Sequence, residues 1–206
     1  MRNNLINEFL NVPTTCISDA MQGLNNLDAS IKPLETHYRF SGPALTVKMP
    51  KGDNLVVLKA IRAAQPGDIL IIDAKGDTSR AIAGDFVIGM AKTMGIQAIV
   101  VDGVIRDIEG IKKVGVPVFC LGTTVAAGDK SGLGELNVNI SCGGVSVNPG
   151  DILVGDADGV VCIPAGRAEG ILATAKEKMT KDEQREQSIT GDYEKTIAYL
   201  DNMINK

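Results

Sequence analysis

Hydrophobic and polar residues follow two periods along the chain, and these periods predict its helices and strands. Apolar residues three or four positions apart predict helices over 4–12, 16–22, 54–64, 84–94, 108–113, 167–187 and 192–204. Short, uninterrupted apolar runs predict buried strands over 40–49, 69–72, 98–101, 117–121, 138–140, 145–147, 152–154 and 160–163. Residues 74–79 and 123–136 show neither period, so we expect loops there. Helices interspersed with buried strands predict an α/β fold with a mixed sheet.

The composition indicates an aliphatic core. At 206 residues the chain is long enough for one domain over 1–206, in which 165–206 forms a helical extension. Hydrophobic residues make up 44% and aromatic residues 3%, without tryptophan, so isoleucine, valine, leucine and alanine must fill the interior. The net charge of −4 and the dispersed basic residues argue against a nucleic-acid-binding protein, which needs a basic face.

The positions of cysteine and histidine argue against a zinc site. The four cysteines, at 16, 120, 142 and 162, form no C-x-x-C pair, and His37 is the only histidine. We expect His37 to be structural rather than catalytic. The N-terminal residues lack the apolar segment of a signal peptide, and no apolar run reaches the length of a membrane span. We therefore expect a cytoplasmic protein with neither a membrane nor a nucleic-acid partner.

One phrase occurs twice, as PGDILIID at 66–73 and as PGDILVGD at 149–156. Pro-Gly turns commonly precede buried strands, which is one explanation of the similarity. The alternative is the doubling of a small strand-helix unit. Both interpretations predict a turn followed by a buried strand.

The run GDFVIGMAKTMGIQAIVVDGVIRD, residues 84–107, carries the candidate chemistry. It predicts a helix that begins at Gly84-Asp85, then a buried strand, and then a loop that ends in Arg106-Asp107. Because the helix and the strand fold back on each other, Asp85 should lie at the same end of the sheet as Arg106 and Asp107. Two carboxylates and one guanidinium in one cleft suit a divalent metal ion together with an anionic substrate.

The residue types of this cluster suggest how it could act. The first helical amides, at Phe86 and Val87, have no helical acceptor, and with the helix dipole they form a natural carboxylate site. Asp107 would hold a Mg²⁺-like ion, and Arg106 would help to polarise a 2-oxo acid. Asp85 would handle protons, through a water molecule.

Each of these residues also has a simpler interpretation. Asp85 could be a favourable charge in the first turn of its helix. Asp107 could cap the helix 108–113, with Arg106 in solvent. Asp102, a third carboxylate in the predicted loop, is expected to stabilise the turn or to support the other residues.

These motifs resemble those of the family of the RNase E regulator RraA and the class II 4-hydroxy-4-methyl-2-oxoglutarate aldolases. The specific part is the spacing Asp85-x20-Arg106-Asp107. The resemblance covers most of the chain through these further motifs: SDAM at 18–21, GPA at 42–44, PGDILIID at 66–73, PVF at 117–119 and VNPGDILVGDADGVVCIP at 147–164. It implies a β/β/α swivelling-domain-like fold with mixed sheets and C-terminal helices. It also implies trimers, or dimers of trimers, with active sites at the subunit interfaces.

The resemblance implies a role for each residue of the cluster. The acid matching Asp107 binds the metal, and the arginine matching Arg106 contacts the keto and enolate oxygen of the substrate. The acid matching Asp85 positions a catalytic water. The amides that follow it, here those of Phe86 and Val87 after Gly84, bind the pyruvyl carboxylate.

The implied function is that of a lyase dependent on Mg²⁺, Mn²⁺ or another divalent metal. Such an enzyme cleaves 2-oxo acids of the 4-hydroxy-4-methyl-2-oxoglutarate type to pyruvate and also decarboxylates oxaloacetate. The alternative is a non-catalytic regulator that binds a ribonuclease or an RNA helicase. The regulators proper lack the acid after the arginine, and this chain keeps it as Asp107.

The C-terminal helices are expected to take part in assembly. In the aldolases a carboxylate from a neighbour's C-terminal helix contributes to the site, and the candidates here are Asp182, Glu183 and Glu186. The last helix carries an apolar stripe of Ile197, Leu200 and Ile204, which must be buried against its own core or against a neighbour. The resemblance favours a neighbour, and therefore a homotrimer or hexamer.

Overall fold

Helices and strands alternate through most of the chain. The computed structural model describes the backbone of residues 2–205 and the side chains of residues 4–205. The helices are α1 (Arg2–Phe9), α2 (Thr14–Ala20), α3 (Leu55–Ala63), α4 (Asp85–Thr93), α5 (Ile108–Val114), α6 (Ala168–Ile189) and α7 (Tyr193–Ile204). The strands are β1 (Lys32–Pro33), β2 (Phe40–Lys48), β3 (Ile69–Ala81), β4 (Ala98–Ile105), β5 (Val118–Thr123), β6 (Glu135–Leu136), β7 (Ile140–Cys142), β8 (Val145–Val147), β9 (Ile152–Gly155) and β10 (Val160–Ile163).

The main sheet is mixed and has the strand order β1-β5-β4-β3-β2-β9-β10, with β6 also paired to β2. Strands β2, β3, β4 and β5 run parallel, whereas β1, β6, β9 and β10 pair antiparallel to their neighbours. Strands β7 and β8 form a separate hairpin. The carboxyl ends of the four parallel strands therefore meet at one edge, where ligands bind in α/β sheets.

Strand β2 joins the two halves of the sheet. Its first residues, 40–43, pair with β9, and its later residues, 44–48, pair with β3. At this change of partner, a Cβ added to Gly42 would lie 2.6 Å from the carbonyl oxygen of Gly67. Glycine is required there because the backbones approach so closely.

Three apolar clusters cover the faces of the sheet. Leu70 and Ile72 of β3 face the first cluster, under α3, α4 and α5. Ile69 and Ile71 face the second, under the β7–β8 hairpin. Helices α1, α2 and α6 form the third against β9 and β10. Because both faces of β3 are buried, its sequence is a continuous apolar run rather than an alternating one.

The predicted α/β class is confirmed, but the predicted loop at 74–79 is wrong. Strand β3 continues through it to Ala81, and β4 extends beyond 98–101 to Ile105. The added segments pair with each other, Asp77 opposite Gly103 and Ala81 opposite Val104, with irregularities in register. Lys75 and Gly76, both at positive φ, lie in the irregular segment. Pairing with β4 therefore maintains a strand that polar residues alone do not predict.

The other differences are smaller. The predicted strand 138–140 is shifted to β7, the predicted loop 123–136 contains the short strand β6, and β1 had no signal in the sequence. The remaining predicted helices and strands are present with small shifts at their ends. Among residues 2–205, no helix is both long and apolar enough to cross a membrane.

Candidate active site

Gly84 lies in direct contact with the Arg106-Asp107 pair. It precedes α4 in an extended conformation, and its carbonyl accepts a hydrogen bond from the amide of Ile88 at 3.0 Å. A Cβ added here would lie 2.3 Å from Oδ2 of Asp107 and 3.3 Å from Nε of Arg106. Only glycine leaves room for both side chains, so the start of α4 and the end of β4 meet as the sequence predicts.

Arg106 and Asp107 follow directly after β4. The amide of Arg106 donates to the carbonyl of Ala83 at 3.0 Å, which ties this segment to the residue before Gly84. Nε of Arg106 lies 3.2 Å from Oδ2 of Asp107, and the two side chains are 42% and 44% exposed. Arg106 forms no other ion pair among the described residues. Its remaining donors therefore stay available for an anionic ligand.

Asp107 does not cap helix α5. Its carboxylate accepts no hydrogen bond from the amides of the helix, although it is the N-cap residue. Its backbone lies in the left-handed region, with φ 61° and ψ 42°. A non-glycine residue in this region costs roughly 1 kcal/mol, and aspartate is among the residues that tolerate it best. The capping interpretation of Asp107 is therefore wrong.

Asp85 packs against helix α5. A Cβ added to Gly110 would lie 2.3 Å from Oδ2 of Asp85, so this glycine provides the space for the carboxylate. Oδ1 of Asp85 accepts a hydrogen bond from the amide of Phe86 at 2.7 Å. The Phe86 amide, predicted to bind a substrate carboxylate, is thus engaged by Asp85 in this structure. A ligand would have to displace Asp85 to use it.

A crossing segment that the sequence did not predict, residues 124–126, passes over the end of β4. The amide of Thr124 donates to the carbonyl of Ile105 at 2.9 Å, and the amide of Ala81 donates to the carbonyl of Ala126 at 2.8 Å. Farther along, the carboxylate of Asp53 accepts hydrogen bonds from Ser131 and from the amide of Gly132. Burial raises the pKa of Asp53, but these hydrogen bonds, together with one from the amide of Leu55, more than offset it, and its pKa is lowered overall.

Asp102 lies outside the cluster. Its carboxylate accepts a hydrogen bond from the amide of Gly143, in the turn of the β7–β8 hairpin, at 3.3 Å. Burial is the main reason that the pKa of Asp102 is raised, and the nearby carboxylates of Asp73 and Asp28 add to it. The predicted turn residue is instead part of β4, and its side chain binds the hairpin.

The carboxylate of Asp107 suits a divalent cation. Among the described residues, no three His, Cys, Asp or Glu side chains converge as a metal site. Mg²⁺ needs fewer protein ligands because it keeps several waters and binds through one or two carboxylates. Asp107, with its partly exposed side chain, leaves room for such waters. The single carboxylate of Asp107 therefore fits Mg²⁺ or Mn²⁺ that keeps most of its waters.

Comparison with known proteins decides the family. The sequence profile described as RraA-like, Aldolase/RraA, matches residues 14–162. This protein belongs to the RraA-like family. It is 55% identical over 202 residues to a Halalkalibacterium halodurans protein named "Putative 4-hydroxy-4-methyl-2-oxoglutarate aldolase". That match covers 98% of this RraA-like chain and 96% of its relative.

Solved structures share the RraA-like fold. RraAS2 of Streptomyces coelicolor, described as an unusual member of the RNase ES inhibitor RraA protein family, has a TM-score of 0.79 and 28% identity, covering 88% of this chain and 95% of that one. The RNA-processing inhibitor RraA from Thermus thermophilis has a TM-score of 0.68 and 30% identity, covering 74% and 92%. The expected RraA-like fold, a mixed, curled sheet with C-terminal helices, is confirmed.

The three C-terminal acids of this RraA-like chain differ in their surroundings. Asp182 lies 2.9 Å from Nζ of Lys178 and 2.7 Å from Nη2 of Arg185, and its pKa is lowered, chiefly by the hydrogen bond from Lys178. Glu183 and Glu186 are exposed and form no ion pair among the described residues. Within one chain, these two glutamates are therefore the acids available to a neighbour.

Two cavities of the RraA-like chain do not include the side chains of the cluster. One of about 570 Å³ is bordered by both Pro-Gly turns, at 66–67 and 149–150. Another of about 520 Å³ lies between α3 and α4 and is bordered by Phe86. Neither is lined by Asp85, Arg106 or Asp107.

Proposed function

We propose that this protein is a divalent-metal-dependent lyase that cleaves 4-hydroxy-2-oxo diacids of the 4-hydroxy-4-methyl-2-oxoglutarate type and releases pyruvate. Decarboxylation of oxaloacetate is proposed as a second activity of the same site. The proposal rests on the carboxylate of Asp107. This carboxylate does not cap α5 and lies against Gly84 and Arg106, on a residue with a left-handed backbone. The name of the 55% identical relative supports the choice of substrate class.

Each side chain of the cluster would have a separate role in such a reaction. Asp107 would hold the divalent ion, which, when bound, supplies Lewis-acid polarisation of a 2-oxo group. Arg106 donates hydrogen bonds to the oxygen on which negative charge develops. Asp85 follows Gly84, which contacts this pair, and it accepts or returns a proton, directly or through a water molecule.

The proposed bond changes balance without an additional reactant. The proton of the C4 hydroxyl leaves, the C4 oxygen forms a carbonyl, and the C3–C4 bond breaks. Its electron pair forms the enolate of pyruvate, which is then protonated at C3.

The products depend on the substrate. With a methyl group on C4 the two products are both pyruvate. With hydrogen on C4 they are pyruvate and glyoxylate. In oxaloacetate the electron pair comes from the bond to the departing carboxylate, and the products are carbon dioxide and pyruvate.

A second candidate is a non-catalytic regulator that binds a ribonuclease or an RNA helicase. Two solved structures with 28% and 30% identity favour it, because their descriptions name RNase ES inhibition and RNA-processing inhibition. Asp107 favours the enzyme, since binding a protein partner does not require an exposed carboxylate in a strained backbone.

The deciding experiment measures pyruvate release from a panel of 2-oxo diacids. The purified protein is stripped of metal with EDTA and assayed before and after addition of Mg²⁺ or Mn²⁺. We expect turnover of 4-hydroxy-4-methyl-2-oxoglutarate and of oxaloacetate only with added metal, as the proposed metal ligand Asp107 predicts. Retention of activity after treatment with pyruvate and borohydride would exclude a lysine Schiff base. Absence of turnover on every substrate with both metals would reject the lyase and leave the regulator.

A further inference from the structure

The crossing segment 124–126 spans the ends of two strands that lead into the candidate site. The Thr124 amide is bonded to Ile105, the residue before Arg106, and the Ala126 carbonyl is bonded to Ala81, three residues before Gly84. Strands β3 and β4 are neighbours, about 4.8 Å apart. Val125 is the middle residue of this short bridge, so its backbone must lie close to the point where Arg106 leaves β4.

Val125 presents its side chain to solvent from this position. It is 96% exposed, although it is apolar and its two neighbours are held by backbone hydrogen bonds. A valine side chain is stiff about χ1, so a fixed backbone also fixes the direction of its methyl groups. It adds nothing to the core of the chain. An apolar group held rigidly beside a charged site is suited to contact an apolar part of the ligand.

We propose that Val125 contacts the substituent on C4 of the substrate and favours a methyl group there over hydrogen. This inference rests on the proposed function. Asp107 and Arg106 act on the 2-oxo half of the substrate, and every side chain of the cluster is charged. An apolar contact at C4 therefore has to come from another segment, and Val125 is an exposed apolar side chain whose neighbours, Thr124 and Ala126, are bonded to the two strands that lead into the cluster.

The test compares two substrates that differ by one methyl group, 4-hydroxy-4-methyl-2-oxoglutarate and 4-hydroxy-2-oxoglutarate. Chromatography follows the loss of each substrate, because the first yields two pyruvates and the second yields one. Val125→Thr keeps the branched shape and replaces a methyl with a hydroxyl. We expect the ratio of kcat/KM, methyl over hydrogen, to fall about fourfold, the effect of losing about 0.8 kcal/mol from one buried methyl-sized group. Oxaloacetate decarboxylation should be unchanged, since C4 of that substrate is the departing carboxylate and carries neither a methyl group nor a hydrogen.

The matched control is Leu133→Thr, which changes another exposed apolar residue, 65% exposed, farther along the same segment between β5 and β6. It should leave the ratio unchanged. An unchanged ratio in Val125→Thr would overturn the inference and leave the lyase standing. An equal loss on all three substrates would also overturn it, and would indicate that Val125 packs against a neighbouring subunit. If the wild type consumes none of these substrates with metal present, the proposed function fails and this inference fails with it.

Discussion

Asp107 is the single residue on which the proposed chemistry depends most. We predict that Asp107→Asn lowers kcat/KM by about 100-fold or more, because an amide is a much weaker ligand for a hard cation than a carboxylate. Asparagine tolerates a left-handed backbone, so the melting temperature should stay within a few degrees of the wild type. Steady-state kinetics, thermal melts and calorimetric titration with Mn²⁺ measure these three quantities.

The matched control for Asp107→Asn is Glu109→Gln. Glu109 is an exposed acid in the first turn of α5, the helix that Asp107 precedes. Its activity and its Mn²⁺ affinity should equal those of the wild type. If Asp107→Asn keeps activity within a few-fold of the wild type at saturating metal, Asp107 is not the metal ligand.

Helix α5 positions Asp85 through a glycine contact. Gly110→Ala should lower kcat/KM roughly 10- to 100-fold, because the new Cβ would lie 2.3 Å from Oδ2 and 2.7 Å from Cβ of Asp85, and misplacement of a reacting group by about 1 Å costs up to about 100-fold. The clash should also cost about 1–3 kcal/mol of stability, partly offset by the about 0.5–1 kcal/mol that alanine gains in a helix, so thermal melts must show that the variant is folded at the assay temperature. Gly170→Ala in α6, where an added Cβ meets no atom within 4 Å, is the control and should be fully active. Equal activities of the two variants would show that the position of Asp85 does not matter.

The sequence predicts the elements whose signal is local and misses those that depend on a partner. The apolar runs of β3 and β4 predict their first halves, because burial on both faces requires such residues. Their second halves are polar or irregular and exist through mutual pairing, which no local pattern reports. The same holds for the segment 124–126, whose path over β4 is set by hydrogen bonds to Ile105 and Ala81.

The candidate site was predictable for a geometric reason. A helix and a strand of known length return the chain to the same sheet edge, so the spacing from Asp85 to Asp107 predicts that these residues lie near one another. The structure places Asp107 against Gly84, the residue before Asp85, and places Asp85 against Gly110, in the helix that follows Asp107. The space at Gly110 and the hydrogen bond from Phe86 to Asp85 depend on atomic packing, which a sequence pattern does not contain.

At the scale of the whole molecule, the last helix indicates assembly. None of the described residues of α7 is buried, and Ile197, Leu200, Met203 and Ile204 are 39%, 45%, 50% and 77% exposed. An apolar stripe of this kind on a terminal helix needs a partner surface. We predict a homotrimer or hexamer, with Glu183 or Glu186 reaching a neighbour's site. Light scattering after size exclusion measures the mass against 21.7 kDa for one chain.

The variant that tests this assembly is Leu200→Glu, which places a charge in the stripe. It should shift the protein towards the monomer, because burying an unpaired charge is costly. If the site is shared between subunits, activity should then fall at least about tenfold. Asn202→Glu, on the same helix and exposed, is the control and should leave mass and activity unchanged. A fully active wild-type monomer would refute the shared site and leave the roles of Asp85, Arg106 and Asp107 untouched.

Because β2 pairs with two different strands, its two halves obtain their partners at different times during synthesis. The partner of its second half, β3, follows within a few tens of residues, but the partner of its first half, β9, comes later, with Ser41 opposite Val154. At about 5–20 residues per second, a ribosome needs roughly 6–22 s to make the intervening segment. During that interval the edge at 40–43 has no strand beside it, and the apolar residues of α1 and α2 lack the β9 and β10 side of their cluster. The nascent chain is therefore most exposed to aggregation, and most in need of a chaperone, before residue 163 emerges.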